Sequence, residues 1–291
     1  MLRRYRVAGL TFALDLPAGH PAEDALHNYD PFLDPQERET LFVLSTTQQA
    51  PQGRRETLYA ADGGSGEPVV RLDKLGEGYL AEFAPHAAAP VCGQLAFTAD
   101  FRRGRLYAGG KASDQAFAVN NALMLLFAFA SAPFRALELH ASAVCRGGRA
   151  FLFLGRSGTG KSTHSSLWIK HVAGAELLND DNPVLRISAD GSIRVYGSPW
   201  SGKTSCYKAE DAPAGAIVRL RQAPHNRIER LGPAAAYASL MTACSGFRPF
   251  RAIADAQHET LAAVVAQVPC YRMECLPDAD AARLCQMTVD G

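Results

Sequence analysis

Short apolar runs that alternate with polar residues fill the first third of the chain. A period of two is typical of β-strands with one buried face. Loops with turn-forming composition, such as residues 48–55 and 61–67, separate these runs. The predicted strands are a short pair within residues 5–14 and runs at residues 39–46, 56–61, 68–75, 78–83 and 93–100.

A longer apolar segment follows at residues 114–132, and its length favours a helix over a strand. Ser113 or Asp114 could cap its first turn. The apolar part, about 17 residues long, is short for a membrane span. It also contains Asn120 and Asn121. We therefore predict a buried helix and no membrane partner.

The second half of the chain mixes strand-like and helical patterns. Two apolar runs, residues 137–144 and 149–155, flank the turn Cys-Arg-Gly-Gly and predict a hairpin. Such a mixture indicates an α/β domain whose sheet carries helices on its faces. We predict a β-rich domain at residues 1–112 and this second domain at residues 113–291. Its other predicted strands are residues 176–181, 183–188, 193–198 and 270–276, and its helices are residues 161–171, 233–244, 255–268 and a last one from Asp278.

Charge and cysteine content narrow the function classes. The chain has 30 Lys and Arg residues against 29 Asp and Glu, which argues against a broad basic surface for nucleic acid. Its seven cysteines are scattered and form no CxxC pair, so neither a disulfide framework nor a zinc site is indicated. The basic and apolar opening segment alternates like strands and is interrupted by Asp15, unlike a signal peptide. We predict a cytoplasmic protein with reduced thiols.

A glycine-rich segment, residues 155–162, fits the pattern G-x-x-x-x-G-K-[ST]. Glycines let the backbone turn its N–H groups towards phosphate oxygens, and the helix that follows points its positive end the same way. In this pattern Lys161 reaches the β and γ phosphates, and the hydroxyl of Ser162 ligates Mg²⁺. We therefore predict a site for ATP and Mg²⁺ between an apolar strand and a helix. The predicted nucleotide-binding residues are Gly155, Ser157, Gly158, Thr159, Gly160, Lys161, Ser162 and Thr163.

Two adjacent carboxylates, Asp180 and Asp181, end a strand-like run downstream of this loop. One carboxylate at a strand end suits a magnesium site, and the other could accept a proton from an attacking hydroxyl. The alternative is a solvated Asn-Asp turn. We predict Asp180 as a metal ligand together with Ser162 and keep both aspartates as catalytic candidates, because the sequence leaves open which one is the base.

Two further residues are candidate catalytic groups. Lys203 lies in a second glycine-lysine turn, residues 197–204, and could point at the transferred phosphoryl group or at an acidic substrate. The alternative for this segment is a tight surface turn. His140 lies in the predicted strand just before the one that enters the glycine-rich loop. A chemical role and a packing role are equally compatible with that position.

Four features together resemble one kinase family: the loop at residues 155–162, the pair Asp180–Asp181, His140 and the closing pattern at residues 268–284. The family is typified by the serine kinase/phosphorylase of the phosphocarrier protein HPr, and its wider relatives are the phosphoenolpyruvate carboxykinases. The resemblance covers roughly Leu137 to the C-terminus. It implies a P-loop kinase domain with a mixed sheet, similar to that of the carboxykinases.

The resemblance also implies roles for individual residues. By matching position, Lys161 and Ser162 take the phosphate and Mg²⁺ roles, Asp180 or Asp181 is the base, and His140 lies near the acceptor. The family's acceptor is a serine hydroxyl.

Two departures from the HPr kinases limit what can be predicted about the acceptor. Thr163 stands where those kinases usually have glutamate, and their arginine-rich HPr-binding stretch has no counterpart here. We therefore predict an ATP-dependent phosphotransferase that acts on a hydroxyl of an unidentified protein, peptide or small molecule. Two alternatives stay open, an ATP-binding regulator or scaffold without phosphotransfer and a carboxykinase-type enzyme. Homo-oligomer formation is also left open.

Overall fold

The computed structural model describes residues 2–60, 68–202, 204–246 and 249–290. The chain divides into two compact units, Met1–Ser131 and Ala132–Gly291. The boundary predicted after residue 112 lies before the long helix, whereas the structure groups that helix with the N-terminal strands. The helix packs on those strands, which explains its place in the first unit.

Within the described residues, the N-terminal unit holds one mixed sheet of eight strands and one long helix. Its elements are β1 (Leu2–Val7), β2 (Leu10–Asp15), β3 (Val43–Thr46), β4 (Arg55–Ala60), β5 (Val69–Leu75), β6 (Gly78–Ala84), β7 (Gly93–Phe97), β8 (Arg103–Ala108) and α1 (Ala112–Ala130). The strand order is β1-β2-β3-β8-β7-β6-β5-β4. Strand β3 runs parallel to both of its neighbours, and the other pairs are antiparallel.

Helix α1 lies close to its sheet because two strand glycines face it. A Cβ added to Gly93 would lie 2.6 Å from the Cβ of Ala118. One added to Gly104 would lie 2.8 Å from Cδ1 of Leu126. A larger residue at either position would push the helix away from the strands.

The polar residue Asn120 of α1 has hydrogen-bond partners outside the helix, as a polar side chain in an apolar helix requires. The side-chain oxygen of Asn120 accepts a hydrogen bond from the hydroxyl of Tyr29 at 2.7 Å. The helix begins at Ala112, and Asp114 accepts the backbone N–H of Lys111 from inside the first turn, so the predicted N-cap was wrong. Among the helices of the described residues, none is long and apolar enough to cross a membrane.

The C-terminal unit combines strands with four helices in its described part. The elements are β9 (Ala136–Glu138), β10 (Ala141–Arg146), β11 (Arg149–Leu154), α2 (Lys161–His171), β12 (Glu176–Asn179), β13 (Val184–Ile187), β14 (Ile193–Tyr196), β15 (Asp211–Gln222), β16 (Arg227–Arg230), α3 (Pro233–Met241), α4 (Arg251–Gln267), β17 (Cys270–Cys275) and α5 (Ala279–Val289).

A second mixed sheet, of nine strands, forms the centre of this unit. Its order is β12-β10-β11-β15-β14-β13-β9, and β17 joins β15 on one side and β16 on the other. Strands β11 and β17 are parallel to β15, whereas β10 and β11 form the predicted antiparallel hairpin. The mixed sheet is thus confirmed, and a likeness to the carboxykinase fold stays a prediction.

Strand β11 shows why helices cover both faces of this sheet. Phe151 and Phe153 belong to a core cluster with residues of α2 and α5. Leu152 and Leu154 belong to another cluster with residues of α3 and α4. Because alternate side chains of a strand point to opposite faces, an apolar residue at every position requires cover on both sides.

Most predicted elements of both units are confirmed with ends shifted by a few residues, but β8, β15 and β16 were not predicted. Strand β15 begins Asp-Ala-Pro-Ala-Gly, a composition that is typical of turns.

Candidate functional site

The predicted strand–loop–helix context of the glycine-rich segment is confirmed. Strand β11 enters it and α2 begins at Lys161. Gly158 has φ +76° and Gly160 has φ +103°, in the left-handed region that glycine tolerates best. The Lys161 side chain folds back over the loop, where its ammonium Nζ donates to the backbone oxygen of Gly155 at 3.2 Å. The ammonium of Lys161 thus lies against the loop at the N-terminus of α2.

His140 lies at a break between two strands, where the sequence predicted one continuous strand over residues 137–144. That prediction was wrong at this point, because β9 pairs with β13 while β10 pairs with β11 and β12. At the break the N–H of Ala141 donates to the backbone oxygen of Asp181 at 2.8 Å. The N–H of His140 donates to the oxygen of Ala243 at 2.7 Å. These bonds hold the histidine beside the acidic pair.

Side chains alternate along β9 and β10 in a way that gathers polar groups on one side. One set of alternate residues is apolar and belongs to the core: Leu137, Leu139, Ala141 and Ala143. The other set of alternate residues consists of Glu138, His140 and Ser142. His140 and Ser142 contact the acidic pair directly, and Glu138 lies near enough to Asp181 to interact with it electrostatically.

The side chains of Lys161, His140 and Asp181 form a continuous chain of contacts beside the glycine-rich loop. The Lys161 Nζ lies 2.7 Å from Nε2 of His140, and Nδ1 of His140 lies 3.2 Å from Oδ1 of Asp181. An ammonium group only donates, so Nε2 accepts and the ring proton sits on Nδ1, facing the carboxylate. This arrangement fixes both the tautomer and the orientation of the imidazole.

The two aspartates have different surroundings. Asp180 is buried; its Oδ1 lies 3.3 Å from the hydroxyl of Ser142, and its Oδ2 accepts the N–H of Thr204 at 3.1 Å. The Asp181 side chain keeps 31% of its surface exposed, and His140 beside it keeps 43%. An external group can therefore reach Asp181 more easily than Asp180.

Asn179 shapes the loop that carries both aspartates, and sequence reasoning missed it. Its side-chain oxygen accepts the N–H groups of Asp181 and Asn182, each at 2.9 Å. Its amide nitrogen donates to Oγ of Ser198 at 3.1 Å and to the backbone oxygen of Trp200 at 3.2 Å. An asparagine at a strand end followed by polar residues is a turn signature that could have revealed this role.

The second glycine turn lies against the acidic pair. A Cβ added to Gly202 would lie 3.2 Å from the backbone oxygen of Asp180 and 3.3 Å from the Cβ of Asp181. Lys203 lies outside the described residues, so its predicted role stays a prediction. The backbone of Gly202, the residue before it in sequence, nevertheless lies against the acidic pair, whereas a turn remote from the site would not.

The remaining predicted residues lie on the outer part of the loop or on α2. Ser157 and Thr163 are exposed, and Ser162 is half-buried in the first turn of α2. Within the described part of the chain, no group of three or more His, Cys, Asp or Glu side chains could hold a metal.

Glu138 carries a fully buried carboxyl group beside the site. Burial raises its pKa well above the usual 4.5 and the charge of Asp181 adds to this, while Ser245 offsets part of the effect. Neither carboxyl oxygen forms a hydrogen bond of normal geometry within the described residues. The group is therefore protonated in the folded protein at pH values where it is ionised in the unfolded chain.

We expect Glu138→Gln to stabilise the protein, increasingly so as pH rises above 4.5. The unfolded glutamic acid releases its proton near pH 4.5 while the folded one keeps it, so the wild type loses stability with rising pH. The loss has a slope of about 1.4 kcal/mol per pH unit until the folded group ionises. Glutamine has no such titration. Urea unfolding of both proteins across this pH range measures the difference, and a difference that is constant with pH would contradict the assignment.

No protein-family model and no curated protein sequence matches this chain. One solved structure similar to part of it is the Hpr(Ser) kinase/phosphatase from Coxiella burnetii. The two chains are 12% identical, the match covers 53% of this chain and 99% of the other, and the TM-score is 0.30.

Proposed function

We propose that this protein is an ATP-dependent phosphotransferase that acts on a hydroxyl acceptor. The observation that supports this most strongly is the Lys161–His140–Asp181 chain, with contacts of 2.7 and 3.2 Å. It joins a cation that belongs to the glycine-rich loop to an accessible carboxylate. Phosphoryl transfer needs both, because charge on the phosphate must be neutralised while the acceptor loses a proton.

The loop would hold the phosphates of the nucleotide. Backbone N–H groups of a glycine-rich loop and the N-terminus of the following helix attract anions. Lys161 lies at that N-terminus, and its Nζ already bonds to the Gly155 oxygen and the His140 ring. On nucleotide binding the same ammonium can exchange one of these contacts for a phosphate oxygen, since an anionic acceptor attracts it more strongly than a neutral carbonyl or imidazole.

Ser162 and Asp180 would be the protein ligands of Mg²⁺, and the buried Asp180 carboxylate would exchange its contact with Ser142 or Thr204 for the ion. Magnesium is usually held by one or two protein groups together with phosphate oxygens and water. When bound, the ion would supply positive charge to the bridging phosphate oxygens.

Asp181 is the better candidate for the general base. Its side chain is partly exposed and can reach an incoming hydroxyl, whereas Asp180 is buried. Among the described residues, Nδ1 of His140 and the side-chain amide of Asn182, the latter at 2.8 Å, contact the Asp181 carboxylate. His140 would thus act as a positioning residue that keeps the carboxylate in place for the acceptor.

A phosphotransfer assay tests the proposal. The purified protein is incubated with γ-³²P-labelled ATP, Mg²⁺ and two acceptor pools from the source organism, one of proteins and one of small molecules. We expect label in one pool with the wild type and labelling slower by on the order of 10²–10⁴ with Asp181→Asn, although that variant still binds ATP. If ATP binds tightly and neither pool is labelled, the protein is an ATP-binding regulator and the phosphotransferase proposal fails.

A further inference from the structure

A cavity of about 370 Å³ opens beside the glycine-rich loop. Its size lies within the usual range for small-molecule sites. One side of the cavity is formed by the loop and the start of α2, including Gly160 and Thr163. The other side is formed by the ends of β15 and β17 and by the turn that follows β17, with Leu220, Leu276 and Pro277.

The cavity and the acidic pair both adjoin the glycine-rich loop that follows β11. Asp181 connects to Lys161 of the loop through His140, which stands between β9 and β10. The cavity lies between the same loop and the ends of β15 and β17. An elongated ligand that crosses the loop could reach both places.

We propose that this cavity holds the base and ribose of the nucleotide while its phosphates extend along the loop towards Lys161. The inference rests on the proposed ATP site and assigns a part of it that neither the motif nor the acidic pair describes. An aromatic base gains from leaving water for apolar walls, and Leu167 and Leu220 add such surface beside the loop.

The polar groups of the cavity suit an uncharged base. None of the described residues that line it has a carboxylate side chain, which guanine would favour as an acceptor for its N–H groups. His164 lines it with a neutral ring, because burial lowers its pKa to about 4. A lining without negative charge is compatible with a nucleotide, whose base is uncharged and whose phosphates are anionic.

Gln222 connects the cavity to the loop. Its side-chain amide donates to the backbone oxygen of Gly158 at 3.1 Å. This bond ties the end of β15 to the loop, so the wall of the cavity and the phosphate-binding backbone are fixed relative to each other. The cavity is therefore a preformed part of the site, and this lowers the entropy cost of ordering the site when a ligand binds.

The proposal is tested by filling the cavity with a larger side chain and measuring the binding of two probes. The probes are ATP and inorganic tripolyphosphate, each with Mg²⁺. Ala223 is half-buried on the cavity lining, and Ala223→Trp would fill the space, with Ala223→Ser as the matched control. We expect Ala223→Trp to weaken ATP binding by about tenfold or more, because the base loses its apolar contacts, and to leave tripolyphosphate binding unchanged. Calorimetry measures both affinities.

The outcomes separate this inference from the proposed function. If Ala223→Trp binds ATP as the wild type does, the nucleoside lies elsewhere and the inference is overturned, although the phosphate site stands. If the wild type binds neither probe, the proposed ATP site itself fails. A loss of both affinities in Ala223→Trp would mean that the loop is distorted and would also overturn the assignment of a separate nucleoside pocket.

Alkylation of Cys275 gives a second measurement that needs no variant. This half-buried thiol lines the cavity, and burial raises its pKa, so iodoacetamide labelling is done at mildly alkaline pH. We expect ATP to slow the labelling of Cys275 and tripolyphosphate to leave the labelling rate unchanged. Peptide mass spectrometry measures this rate. Equal protection by both probes, or by neither, would argue against a base in this cavity.

Discussion

We expect Lys161→Met to weaken the binding of ATP by on the order of 10- to 100-fold, the loss typical of charge-assisted hydrogen bonds to phosphate. The side chain contributes its ammonium to the loop and buries its aliphatic stem, since only 8% of the residue is exposed. Methionine keeps most of that stem and removes the charge. The fold should therefore persist, with the contacts to Gly155 and His140 lost. Calorimetry with Mg²⁺ and ATP measures the change.

Lys170→Met is the matched control for this experiment. Lys170 lies on the same helix, is exposed, and stands in the last turn, far from the helix N-terminus. We expect its ATP affinity to equal that of the wild type. Circular dichroism and thermal unfolding of both variants would show that the helix is retained. A Lys161→Met protein that binds ATP with unchanged affinity would remove the basis for a phosphate site in this loop.

The local parts of the site could be predicted from the sequence because neighbours along the chain determine them. The glycines of the loop, the strand before it and the helix from Lys161 follow from short patterns. The hairpin of β10 and β11 turns at Gly147 and Gly148, which both have positive φ, as its Cys-Arg-Gly-Gly turn suggested.

Contacts between distant segments could not be predicted in the same way. The break before β10 exists because Ala141 bonds to the backbone of Asp181, which is far along the chain. Nothing in the apolar run around His140 marks that interruption. Asn179 likewise gains its role from Ser198 and Trp200, in a segment whose position depends on how the sheet assembles. Which aspartate is the accessible one follows from these contacts and not from the Asp-Asp sequence.

Because Asp181 is more accessible than Asp180, we expect the second large effect to be the loss of turnover when Asp181 is replaced. We expect Asp181→Asn to lower the rate of phosphotransfer by on the order of 10²–10⁴, the usual contribution of a general base, with ATP affinity almost unchanged. The amide keeps the size of the side chain and cannot accept the proton of the acceptor. Initial rates with the labelled acceptor, together with calorimetry, give the two quantities separately. Asp255→Asn is the control, an exposed carboxylate on α4.

Asp180→Asn should behave differently from Asp181→Asn because its carboxylate is buried between Ser142 and the backbone of Thr204. We expect it to need more Mg²⁺ for both ATP binding and transfer, since a neutral amide is a weaker ligand for this ion. A titration of each reaction with Mg²⁺ measures the shift. If Asp181→Asn shifts the Mg²⁺ requirement and Asp180→Asn leaves it unchanged while lowering turnover, the two roles are exchanged. If neither variant changes turnover, the acidic pair has no catalytic role. The glycine-rich loop then only binds ATP.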